Sequence, residues 1–143
     1  MENRPIVVFV DSDTAFANSV RNGFTAAGYA VEVCGDADSA EPLAARLKPD
    51  IVVTDMILPG KSGFWLLERL KGHDPRLPVI MAATLAGPAQ RQFAEFLGAD
   101  DFLTRPVAVS RLLESVRRFC SPGVNPPHRS PLPSRLRHAA NGA

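Results

Sequence analysis

The chain has 143 residues, 45% of them hydrophobic and 22% charged, with a formal net charge of +1, which allows one domain with a real core and gives no bulk field favouring nucleic acid or membrane. Two cysteines, Cys34 and Cys120, stand far apart with no CxxC pattern, which argues against a disulfide framework or a zinc site and fits reduced thiols in a cytosol. The N-terminus, MENRPIVVFVDSD, is not a signal peptide and no 18 apolar residues run together, so the expected location is the cytoplasm, with no membrane partner.

Along the chain, apolar runs of strand length alternate with segments of helical period. Ile6–Val10 (IVVFV) is continuous and β-branched, as in a strand buried on both faces. Thr14–Ala27 carries Phe16, Val20 and Phe24 on one helical face, and Gly28 is placed to end it. Tyr29–Cys34 is a second strand. Asp38-Ser-Ala-Glu41 resembles a capping box opening a helix to about Leu47, with Pro42 tolerable if it lies in the first turn. Ile51–Thr54 is the third strand, again ending in an acid, Asp55. Ser62 can cap a helix from Gly63 to about Lys71. Pro78–Ala83 is a fourth strand and Pro88–Leu97 a helix, with proline at its start and Gly98 past its end. Asp101–Thr104 is a short fifth strand, and Val109–Phe119 a last amphipathic helix.

Beyond Phe119 the character changes. All 15 acids lie in residues 1–120, whereas 121–143 hold three arginines, five prolines and no acid. That segment is expected to be a flexible tail, with at most a short helix over 132–140. The expected organisation is one domain over 1–120 and a tail over 121–143, with no appended effector module.

Five strand–helix repeats predict a five-stranded parallel sheet covered by helices on both faces, a three-layer α/β sandwich. Ligands of such sheets bind beyond the carboxyl ends of the strands. Those ends carry Asp11, Asp55, Ala83 and Arg105. With the first and third strands adjacent, Asp11 and Asp55 would converge on one pocket. Close carboxylates repel unless protonated or bridged by a cation, and a hard divalent ion such as Mg²⁺ suits oxygen ligands. A carboxylate held there can attack a phosphoryl group and form an acyl phosphate. An acid after a strand is, for any single residue, as readily explained by loop polarity; the matched pair is what singles out these two.

Residues 6–119 resemble the receiver domain of bacterial two-component response regulators, a flavodoxin-like fold. The strongest match is DIVVTDMILPGKSGFWLLERLK at Asp50–Lys71; GADDFLTRP at Gly98–Pro106, VFVDSD at the first strand and PVIMAAT at the fourth add three more motifs in the right order. The resemblance implies that Asp55 is the phosphoacceptor, that Asp11 is the first acid of the Mg²⁺-binding pair, and that Ile57 lends its backbone carbonyl to the metal. It makes Phe102 the switch aromatic and Arg105-Pro106 the step with a cis peptide.

Three positions depart from the family pattern. Ser12 stands in place of the second acid, Ala83 in place of a threonine or serine that binds the phosphoryl group, and Arg105 in place of a lysine. Ser12 can ligate a metal but brings no charge, so Mg²⁺ affinity is expected to fall; Asp13 is the candidate to compensate. Thr84 neighbours Ala83 but faces the other way along a strand. Arg105 keeps the charge with a bulkier planar fork and is also placed to pair with Asp55 and hold the site in a fixed state.

The expected function is a stand-alone receiver, not an enzyme. A histidine kinase or phosphotransfer protein would phosphorylate it on Asp55, and a protein target would bind the surface of the fourth helix, fifth strand and fifth helix. The alternative is a degenerate pseudo-receiver, an interaction module independent of phosphorylation. Nucleic acid is not an expected partner, since three tail arginines offer little counterion release.

Overall fold

The computed structural model describes residues 4–84 and 87–123. Its strands are the apolar runs: β1 (Ile6–Val10), β2 (Ala30–Cys34), β3 (Ile51–Asp55), β4 (Val79–Ala83) and β5 (Asp101–Thr104). Each is followed by a helix: α1 (Thr14–Ala26), α2 (Ala37–Leu47), α3 (Gly63–His73), α4 (Pro88–Phe96) and α5 (Val109–Arg117). The sheet is parallel in the order β2-β1-β3-β4-β5, the flavodoxin-like arrangement.

Strand alternation divides the core between two layers. Val7, Phe9, Ile51, Val53 and Ile80 face Val20 and Phe24 of α1 and Leu112 and Val116 of α5. Val8, Val10, Val52, Met81 and Phe102 face α2, the Leu66, Leu67 and Leu70 ridge of α3, and Ala94 of α4. The inner strands β1, β3 and β4 are buried on both sides, which explains their unbroken apolar runs.

The strand order reverses between β1 and β3. Their register sets Val10 opposite Thr54, so the next residue of each strand, Asp11 and Asp55, lies at the same end of the sheet. Two other acids work at the opposite end. The Asp50 carboxylate accepts the Ile6 N–H at 2.7 Å, and Asp100 accepts the Val79 N–H and the Lys71 ammonium, both at 2.8 Å. They tie down the starts of β1 and β4.

The helix caps correct one reading. α2 starts at Ala37, and its N-cap is Asp36, which accepts the Ser39 N–H at 2.7 Å. Asp38 lies inside the first turn and its carboxylate pairs with Lys61 at 3.0 Å. The earlier start puts Pro42 inside the helix rather than in its first turn. Asp36 and Asp38 are chemically alike and stand two residues apart, and only the backbone course decides which of them caps the helix. The expected tail, 121–143, lies outside the described residues beyond Gly123, as do His128 and His138.

Gly63 opens α3, and its N–H donates to Met56 O at 2.8 Å, folding the β3–α3 loop back under Asp55. A Cβ at this position would lie 2.0 Å from the backbone oxygen of Asp55 and 3.0 Å from Met56 Cα. Backbone cannot yield as a flexible side chain can. Gly63→Ala is therefore expected to cost about 1–3 kcal/mol or more of stability, read as a lower urea midpoint at unchanged slope; an unchanged midpoint would contradict this packing.

Candidate functional site

Three side chains meet at the carboxyl end of the sheet. Asp11 follows β1, Asp55 ends β3, and Arg105 follows β5; their side chains are 2%, 16% and 13% exposed. An Arg105 Nη2–H donates to Asp11 Oδ2 in a charge-assisted hydrogen bond. Arg105 Nε lies 3.9 Å from Asp55 Oδ2. The guanidinium thus spans both carboxylates, closer to Asp11. The sequence reading foresaw a pairing with Asp55 and missed the tighter one with Asp11.

The cation is held from the other side by an aromatic ring. The Arg105 guanidinium carbon stands 4.8 Å from the Phe16 ring centroid, and Phe16 packs against Phe9 at 5.9 Å. Phe16 is in the first turn of α1, where Asp13 caps the helix by accepting the Phe16 N–H at 3.1 Å. Sequence periodicity marked Phe16 only as a core residue. The Arg105-Pro106 peptide is cis, as the resemblance implied.

Backbone donors finish the site. Asp11 Oδ1 accepts the Asp13 N–H at 2.9 Å, and Asp55 Oδ1 accepts the Ile57 N–H at 3.3 Å. Burial pushes the Asp55 carboxyl above its ordinary value, with the nearby Asp11 carboxylate adding to the rise; Arg105 and the Ile57 N–H pull against it without reversing the direction. The Arg105 Nε–H is buried and donates no hydrogen bond among the described residues.

The donor set does not fit a hard divalent cation. Both oxygens of Asp11 are engaged, one by the Asp13 N–H and one by Arg105. Ser12 is exposed and neutral, and Asp13 caps α1 through its Oδ1. Asp55 and the Ile57 backbone remain. Among the described residues no group of three or more His, Cys, Asp or Glu side chains is arranged to hold a metal.

The residues expected to act as a switch lie on or just after β4 and β5. Ala83 is completely buried at the end of β4, where its methyl side chain can make no hydrogen bond. Thr84, one residue on, is exposed in the turn. Phe102 is 4% exposed in the same core layer as Ala83, with the Arg91 guanidinium 5.0 Å above its ring. Trp65 packs partly on that layer and lies between Lys61 and Arg69. Burial pushes the Cys34 thiol up to about 11 and Cys120 up to about 12, so both stay protonated at neutral pH, as inert core groups do. No helix among the described residues is long and apolar enough to cross a membrane.

Comparison with known proteins agrees with this architecture. The family model described as the response regulator receiver domain matches residues 7–117. The DNA-binding dual master transcriptional regulator RpaA of Synechocystis is 36% identical over 117 residues, covering 79% of this chain and 48% of RpaA. The chain spans about half the length of the curated relatives it matches. Among solved structures, the receiver domain of Francisella response regulator 1452 superposes with a TM-score of 0.76 at 27% identity, covering 80% of this chain and 95% of that one. A CheY-like receiver domain protein of Methanospirillum hungatei gives 0.73 at 29% identity, covering 81% and 93%. The family match over most of the chain, together with the strand order and the acids at the switch point, identifies the chain as a member of the response regulator receiver domain family.

Proposed function

We propose that this receiver domain takes a phosphoryl group on Asp55 from a histidine kinase or phosphotransfer protein, and passes the signal to a protein target through the face formed by α4, β5 and α5. The observation that carries the reading is the setting of Asp55. It is partly open at the end of a central strand, with Oδ1 held by the Ile57 N–H and Oδ2 on the side of Arg105. From a phosphohistidine donor, an Asp55 oxygen would attack phosphorus as the P–N bond breaks. The imidazole would leave with the electron pair and take up a proton, and Asp55 would become an acyl phosphate. The Arg105 guanidinium, 3.9 Å from Asp55 Oδ2, would offset the charge of the phosphoryl oxygens.

A second reading has its own support. Ala83 has no hydroxyl with which to follow the phosphoryl group, and Phe102 is already buried. The domain would then keep one conformation and act as a fixed interaction module, independent of phosphate.

Two outcomes separate these readings from error. With a phosphohistidine donor or a small acyl phosphate, the wild type is expected to gain the mass of one phosphoryl group and Asp55→Ala to gain none; no gain in the wild type leaves the interaction module. Stability gives the second check. The folded-state pKa of Asp55 is raised, so the stability held by its protonated form is full below the unfolded pKa and is lost as pH rises through the folded one. Asp55→Asn is therefore expected to raise Tm at neutral pH, with the gain shrinking as pH falls and the wild-type carboxyl protonates. A lower Tm at neutral pH would contradict the burial assigned to this group.

A further inference from the structure

Receiver domains generally bind Mg²⁺ at the phosphorylation site, yet the donors of this pocket do not fit it. The geometry points to what stands in its place: we propose that the Arg105 guanidinium, clamped on Phe16, is the resident cation of the pocket, so that the site works without a divalent metal. The location rests on the receiver reading; the claim about the cation does not depend on phosphate transfer.

Three observations converge on it. The first is position. The guanidinium already bridges the two carboxylates a metal would use, by a hydrogen bond to Asp11 and a charge contact of 3.9 Å to Asp55. The second is charge. Asp11 and Asp55 with Arg105 leave one net negative charge; adding a divalent ion would turn the excess positive, and no further carboxylate among the described residues is shown against the pair. Ser12 is neutral, and Asp13 is turned to the start of α1. Two cations in so dry a space repel strongly.

The third is anchoring. Arg105 is held in a row of contacts, with its guanidinium over Phe16 and Phe16 tilted against Phe9, so it cannot swing aside without losing the ring contact as well as the ion pair. A guanidinium suits this seat. It is planar, more weakly hydrated than an ammonium, and stacks on aromatic faces. Mg²⁺ gives up its waters reluctantly and demands near-octahedral oxygen donors, which this pocket cannot supply. Phe16 is accordingly a positioning residue: it acts on the pocket only through Arg105.

The test is Mg²⁺ titration of the full chain by calorimetry at constant ionic strength and neutral pH, with no phosphodonor present. Wild type is expected to bind no tighter than about 1 mM, the weak end of protein oxygen sites. Arg105→Gln frees Asp11 and removes the competing charge, and its Mg²⁺ affinity is expected to rise at least about tenfold. Phe16→Leu, which loosens the clamp but keeps the charge, is expected to raise affinity about threefold. A parallel melt should show Mg²⁺ raising the Tm of Arg105→Gln but not of wild type.

Sub-millimolar Mg²⁺ binding by wild type would overturn the proposal, and this result needs no variant to fold. Equal weak binding by wild type and Arg105→Gln would also overturn it, because the missing acid at position 12 would then govern the site. No change in Phe16→Leu would remove the clamp. Failure to label Asp55 in the phosphodonor experiment bears on the signalling role and leaves these outcomes intact.

Discussion

Two carboxylates at the end of a buried sheet require a counter-charge, and the rest of the site follows from how that requirement is met. Asp11 is almost wholly shielded from water and faces the same pocket as Asp55. Unpaired, two such charges would cost several kcal/mol in desolvation and repulsion. Arg105 supplies the counter-charge from the far edge of the sheet. It reaches back across β4 because β5 ends beside it and the Arg105 N–H is fixed to Ala83 O at 2.8 Å. One side chain thereby ties the end of the last strand to those of the first and third.

The fold exists to hold that convergence steady. Parallel pairing brings every strand out at the same face, and acids at the opposite end secure the starts of β1 and β4. Gly63 lets the loop after β3 turn so tightly that it braces Asp55 from below. The resulting pocket has its own cation, one anchored carboxylate and one partly open carboxylate. Chemistry at Asp55 would therefore proceed beside a fixed positive charge, whereas the family generally binds Mg²⁺ there. The buried Ala83 and Phe102 give the neighbouring β4–β5 region a packed, apolar character.

Much of this was legible in the sequence, for physical reasons. Ile6–Val10 and Ile51–Asp55 are continuous apolar runs because both faces of their strands are covered, and a run that stops at an acid marks where the covering ends. Asp11, Asp55 and Arg105 were recognisable as pocket residues because strand ends of a parallel sheet share one face. The pairing of Arg105 with Asp11 was not legible. Arg105 is 94 residues from Asp11, and its choice between two acids depends on side-chain reach and on the ring of Phe16. The cap of α2 failed for a different reason: Asp36 and Asp38 have the same chemistry two residues apart, and the chain direction alone selects Asp36. Asp50 and Asp100 were passed over because an acid before a strand has no local signature, although each anchors a strand start.

The central claim is that the Arg105 guanidinium is locked to Asp11, and nuclear magnetic resonance of the arginine side chain tests it most directly. At neutral pH without divalent ions, the account predicts separate, slowly exchanging Nη–H signals for Arg105, showing hindered rotation about its Nε–Cζ bond, and their collapse in Asp11→Asn. A freely rotating Arg105 that exchanges rapidly with solvent in the wild type, or signals unchanged in Asp11→Asn, would contradict it.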